Sequence, residues 1–142
     1  MQRRPRRNRR SAGIRGLIRE TTLEPRHLVL PLFVQDGQNT ETPIASMPGH
    51  ARLSIDRLLV RAQQAYELGV PAIALFPALP DTQKDPRGQE STNPDGLLPR
   101  TVSALKSALP ELLVITDVAL DPYSSDGHDG VVIDGRIDNE AT

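Results

Sequence analysis

Ser54–Phe76 reads SIDRLLVRAQQAYELGVPAIALF. Ile55, Leu58, Leu59, Ala62 and Tyr66 recur at helical spacing, Ser54 stands at the cap position and Gly69 at the C-terminal stop. The run that follows, Val70–Phe76, is apolar without alternation. Such a strand is covered on both faces, as in a parallel sheet with helices packed on it. The spacing therefore predicts a helix feeding a buried strand, the unit from which α/β folds are built.

The same unit extends in both directions. His27–Gln35 (HLVLPLFVQ) predicts an earlier strand, kinked or interrupted at Pro31, and Asp36–Gly49 a long polar loop. Downstream, the polar stretch Pro77–Asp95 leads to a helix bearing Leu98, Val102, Leu105 and Leu109. Pro99 is tolerable in its first turn and Pro110 ends it. Leu112–Val118 (LLVITDV) is a third buried strand, and Val131–Asp138 a small hairpin turning at Asp134-Gly135. Alternation of this kind predicts an α/β fold with right-handed crossovers, either a wound sheet or a (β/α)₈ barrel. In both, chemistry sits in the loops after the C-terminal ends of the strands. No further helix–strand unit follows the hairpin, so the pattern reads as a fragment whose open edges favour aggregation or a molten state.

The chain has 142 residues, no cysteine, and 17 basic against 18 acidic side chains. Without thiols there is no disulfide, thiolate zinc site or cysteine nucleophile. The longest apolar runs, such as Leu28–Val34, fall far short of the roughly 20 residues that span a bilayer. No apolar segment of a secretory signal follows the basic start, so the expectation is a soluble, cytoplasmic protein without membrane contact. The charge is polarised: residues 1–20 carry eight arginines and one acid, whereas the last stretch, Asp117–Glu140, is strongly acidic. This divides the chain into a basic arm with a short helix capped by Ser11 (1–20) and a body (21–142). An arm that orders on a neighbouring subunit is the preferred reading. Nucleic-acid binding ranks second, because no aromatic stacker or binding motif accompanies the arginines. A transit peptide ranks third.

The stretch richest in chemistry is Asp117–Gly130, DVALDPYSSDGHDG, directly after the third strand. Its carboxylates could bind a hard divalent ion such as Mg²⁺, or an ammonium or guanidinium group. Equally, Asp-Pro, Asp-Gly and Ser-Ser are ordinary turn formers. Asp117 stands apart, because it ends an apolar strand where a barrel's ligand would lie. His27 and His50 read as surface or cap residues, while His128 lies within the acidic cluster. Ser124 and Ser125 lack a legible His–Asp relay, and no phosphate-binding glycine motif is present. Only two lysines exist, Lys84 in a polar loop and Lys106 on a helix, and neither reads as a desolvated amine.

Taken in order, RPRR, LVLPLFVQDG, PIASMPGHARLSID, ELGVPAIALFP, NPDGLLPRTVSALKSALPEL and VITDVALDPYSSDGHDG resemble the N-terminal part of the porphobilinogen synthase (δ-aminolevulinic acid dehydratase) family. The resemblance covers roughly residues 3–140. It implies the arm and about the first three β/α units of a TIM (β/α)₈ barrel, incomplete here. It also implies a lyase that condenses two 5-aminolevulinate molecules to porphobilinogen, using two Schiff-base lysines. The arm would wrap a neighbouring subunit in a homo-octamer.

By the same resemblance, Asp117 matches the active-site aspartate that positions or deprotonates a substrate amine. Cysteines of zinc-dependent members fall at Ala119, Asp121 and Asp129. The resemblance thus implies the zinc-independent branch, using Mg²⁺ or a monovalent cation, with Asp121 and Asp129 as candidate ligands. Asp126 replaces a usual histidine, and neither Lys84 nor Lys106 matches a Schiff-base position, so residues 1–142 alone are expected to be inactive. The alternative is a non-catalytic truncated protein that binds full-length subunits through its arm.

Overall fold

The computed structural model describes residues 6–142. The first quarter of the arm, Met1–Pro5, lies outside the described residues. Beyond it, a short 3₁₀ turn at Arg6–Arg9 precedes α1 (Ala12–Leu17), whose first turn is capped by Ser11 Oγ accepting from the Ile14 amide at 3.2 Å. The body contains β1 (Val29–Gln35), β2 (Glu41–Pro43), β3 (Ala51–Leu53), α2 (Ile55–Glu67), β4 (Ala72–Ala78), α3 (Leu97–Ala108) and β5 (Leu113–Thr116). A separate hairpin, β6 (Val132–Ile133) and β7 (Arg136–Ile137), follows. The sheet order is β2-β3-β1-β4-β5, with β1, β3, β4 and β5 parallel.

The α/β class and three of the four parallel strands, β1, β4 and β5, follow the sequence pattern, which does not mark β3. Helix α2 ends as its glycine requires: Gly69 takes a positive φ of 87°, its amide donates to Tyr66 O, and the Val70 amide donates to Ala65 O. The hairpin turns at Asp134 and Gly135, whose φ angles of 49° and 74° suit a two-residue primed turn.

Three local expectations are corrected. Pro31 does not break β1, which is continuous. At that point the strand is paired with β4 alone, because β3 joins its other side only from Phe33, so one side of the strand is open where the proline stands. The stretch Asp36–Gly49 is not wholly loop. Glu41–Pro43 pairs antiparallel with β3, although all three residues are exposed and carry no strand-like alternation. Finally, Ser54 precedes α2 without a side-chain cap bond into the helix. Its Oγ is used across the sheet edge, accepting from the Thr40 amide at 2.9 Å and donating to Thr40 O at 3.2 Å.

The sheet has two unlike faces. Leu32 and Val34 of β1, and Ile73 and Leu75 of β4, join Leu58 and Ala62 of α2 and Leu97 and Leu105 of α3 in one buried core. The alternate residues face away from the helices. There Phe33 and Phe76 are paired in register, with ring centroids 5.6 Å apart. This inner face points towards the site.

Leu75 is fully buried in the helix-side core, so Leu75→Ala is expected to lower the unfolding free energy by about 2–5 kcal/mol. Leu68, 75% exposed at the end of α2, should tolerate the same change within about 0.5 kcal/mol. Urea denaturation of both variants checks the assignment of the core.

Candidate active site

Strands β1, β4 and β5 open at their C-terminal ends onto a cavity of about 880 Å³. Its floor is the inner face, Phe33 and Phe76, and its rim is built from the three loops that follow these strands. Asp36, Arg52, Asp81, Lys84, Asp117 and Asp121 bring charge to it. On β5, Leu113 and Ile115 share the inner face by strand alternation, and Asp117 comes next in the same phase, just past the strand end. The polar residue that terminates this strand therefore lines the cavity.

The loop after β1 is pinned at two points. Asp36 forms a 2.6 Å ion pair with Arg100 at the start of α3, and the Asn39 amide donates to the Asp56 carboxylate at 2.9 Å. The Asp117–Gly130 loop is organised from within. Asp129 Oδ1 accepts from the Leu120 and Asp121 amides at 3.0 and 3.1 Å, closing the segment on itself. The buried Ser124 hydroxyl accepts from the Asp126 amide at 3.2 Å.

These contacts divide the two carboxyls. Hydrogen bonds from the Asp121 and Leu120 amides hold Asp129 below the usual carboxylate range. Partial desolvation, then the charge and hydrogen bond of Asp129 and the charge of Asp117, push Asp121 above it. Nearby Tyr123 is pushed up by burial and by the charge of Glu90.

Of the residues singled out in the sequence, Asp117 and Asp121 line the cavity, whereas Asp129 stands behind them as the tie of the loop. Asp126 and His128 are exposed. His27 is a cap residue, its Nδ1 accepting from the Glu24 amide. Lys106 donates to Pro110 O and Leu112 O beyond the end of α3. Lys84 lies in the loop after β4, as read, but its side chain is only 25% exposed and lines the cavity, paired with Asp81 at 3.1 Å. Sequence reasoning also passed over Asp36; its one signal was its place directly after an apolar strand.

The donor chemistry is oxygen only, which suits a hard cation and offers zinc no thiolate. Among the described residues, no three His, Cys, Asp or Glu side chains are grouped to hold an ion. Asp121 and Asp129 would thus supply part of a shell, with Asp129 already engaged by two amides. No described helix is long and apolar enough to cross a membrane.

A parallel α/β sheet with helices on one face and an acid-lined cavity at its strand ends is the opening part of a TIM-barrel enzyme scaffold. The family model for delta-aminolevulinic acid dehydratase matches residues 2–142, and the chain belongs to that family. The chloroplastic delta-aminolevulinic acid dehydratase of Hordeum vulgare is 50% identical over 100% of this chain, which spans 33% of that relative. The Bradyrhizobium diazoefficiens enzyme is 46% identical over 98% of the chain, spanning 39% of the relative. In structure, the delta-aminolevulinic acid dehydratase of Toxoplasma gondii, solved with its product porphobilinogen, superposes with a TM-score of 0.92 at 50% identity. It covers all of this chain, which in turn covers 41% of it. The chain therefore spans about a third to two fifths of the length of these relatives.

Asp129→Asn keeps an acceptor oxygen for the two amides but removes the charge, so the Asp121 carboxyl should titrate closer to an ordinary aspartate. The sign follows from the two shifts. Asp129 contributes loop stability that is lost as pH falls through its lowered pKa. Asp121 costs stability as pH rises through its raised one. The loop should therefore be firmest between the two values, with Asp129 ionised and Asp121 protonated. Carboxyl ¹³C titration of both proteins reads this, and an Asp121 curve unmoved by the substitution would contradict it.

Proposed function

We propose that this chain forms part of the active site of a porphobilinogen synthase, a lyase condensing two 5-aminolevulinate molecules to porphobilinogen with loss of water. The observation that carries the reading is Asp117, set at the end of β5 on the rim of a cavity floored by Phe33 and Phe76. A carboxylate there can orient the ammonium group of an amino-ketone and accept its proton, freeing the amine to act as a nucleophile. Phe33 and Phe76 give this end of the cavity an apolar floor beneath the reacting groups.

Asp121 and Asp129 are the residues of this chain that would hold a hard cation, Mg²⁺ or a monovalent ion. Such an ion, when bound, would supply positive charge to stabilise developing negative charge. The absence of thiols supports a zinc-independent enzyme. Schiff-base formation requires an unengaged amine. Lys106 is spent on two carbonyls and Lys84 is paired with Asp81. The electrophilic step therefore depends on residues other than these two, in the part of the relatives this chain does not span.

Assembly into a homo-octamer through the N-terminal arm is part of the same reading. It is supported by the exposure of Ile14, Leu17 and Ile18, apolar side chains on an otherwise basic segment. The division into an arm (1–20) and a barrel body (21–142) belongs to it as well, as does a cytoplasmic location. The plant relatives are named for the chloroplast.

Residues 1–142 incubated with 5-aminolevulinate should form no porphobilinogen. Substituted for the matching segment of the Hordeum vulgare relative, they should support turnover, and that turnover should survive a zinc chelator. Asp117→Ala in this hybrid should lower kcat by about 10²–10⁴-fold. Undiminished kcat in the Asp117 variant would remove the residue from the chemistry.

A further inference from the structure

Asp85, in the loop after β4, uses nearly every polar group it has. One carboxylate oxygen accepts from the Arg87 amide at 2.8 Å and the other from the Gln89 amide at 2.9 Å, folding the loop back on itself. Its backbone reaches in the other direction. The Asp85 amide donates to Tyr123 O at 3.3 Å and the Ser125 amide donates to Asp85 O at 3.1 Å, a parallel bridge centred on Ser124. Among the described residues this is the one bridge between the loops after β4 and β5.

The turn that Asp85 closes places Gly88 in the left-handed region, φ 59°, buried against the acidic loop. A Cβ there would lie 2.5 Å from Leu120 Cδ1 and 3.4 Å from Tyr123 Cβ. Leu120 is the residue whose amide Asp129 holds. A continuous set of contacts thus runs from the Asp85 carboxylate through Gly88 to Leu120, and through the bridge to Tyr123–Ser125. It brackets Asp121 on both sides. Lys84, the neighbour of Asp85, is carried to the same cavity by this arrangement.

We infer that Asp85 is a positioning residue: by folding the β4 loop and stitching it to the β5 loop, it sets Asp121, and Asp117 before it, on the rim of the cavity. The functional part rests on the reading of this cavity as the 5-aminolevulinate site. A carboxylate is needed because both oxygens must accept from amides, which an asparagine can do with only one.

The test compares the chain with Asp85→Ala and Asp85→Asn by amide hydrogen exchange. In Asp85→Ala, exchange at Leu120, Asp121 and Ser125 should rise by about tenfold or more while the β1–β4 ladder at Leu32 and Leu75 stays unchanged, as expected of local opening. Asp85→Asn, keeping one acceptor, should recover part of the protection. Equal loss of protection in ladder and loop would make Asp85 a general stability residue and overturn the inference, as would no change at all. Titrating 5-aminolevulinate into the ¹⁵N-labelled chain separates the two readings. Shifts at Asp117–Asp121 that vanish in Asp85→Ala support both. Selective exchange without any shift in the parent chain keeps the stitch and rejects the substrate.

Discussion

The pairing of β1 with β4, unbroken from Val29–Ala72 to Gln35–Ala78, is the constraint on which the rest depends. Because side chains alternate along both strands and the register is fixed, one set of residues must face the helices and the other must not. Leu32, Val34, Ile73 and Leu75 take the helix side, and their burial against α2 and α3 settles the choice. Phe33 and Phe76 are left on the opposite face, where they floor the cavity. A slip of one residue would exchange core and site. The site is thus a consequence of packing the core correctly.

How far this was legible in the sequence differs from element to element. Helix α2 and strand β4 could be read directly, because Leu58 and Ala62 keep helical spacing and Val70–Phe76 is a continuous apolar run. Asp117 could be singled out because it ends the apolar run that begins at Leu112. β2 could not: Glu41, Thr42 and Pro43 are exposed, and only the partner β3 makes them a strand. Ser54 has the composition of a cap and the right position for one, yet its hydroxyl bonds Thr40, a competition that local patterning cannot resolve. Lys84 was illegible for the same reason. Its neighbour Asp85 bridges to Ser124, far along the chain, a contact that local patterning does not show.

The inner face also shows what the sheet is for. On β5, Leu113 is 60% and Ile115 48% exposed, in register with Ala72 and Ala74. Their outward neighbour Val114 packs into the helix-side core. An apolar face presented beside a polar rim is the geometry of a barrel interior, where such residues are enclosed by further strands. The close superposition on the Toxoplasma gondii enzyme, with under half of that chain matched, agrees with a sheet whose inner face is shaped by strands beyond these.

The acidic loop separates two roles that its composition had merged. A cluster of aspartates reads as a ligand set, but ligands must be free to turn towards an ion. Asp129 is free only in part, since its Oδ1 is committed to the Leu120 and Asp121 amides, which favour its ionised form, and Oδ2 alone is left to turn towards an ion. Asp121 and Asp117 carry no such backbone duty and face the cavity. Here the loop is closed by a carboxylate on its own backbone amides, and hydrogen bonds to a charged acceptor are among the stronger kind. The shape of the rim is therefore held by hydrogen bonds within the chain itself, from the Leu120 and Asp121 amides to the Asp129 carboxylate.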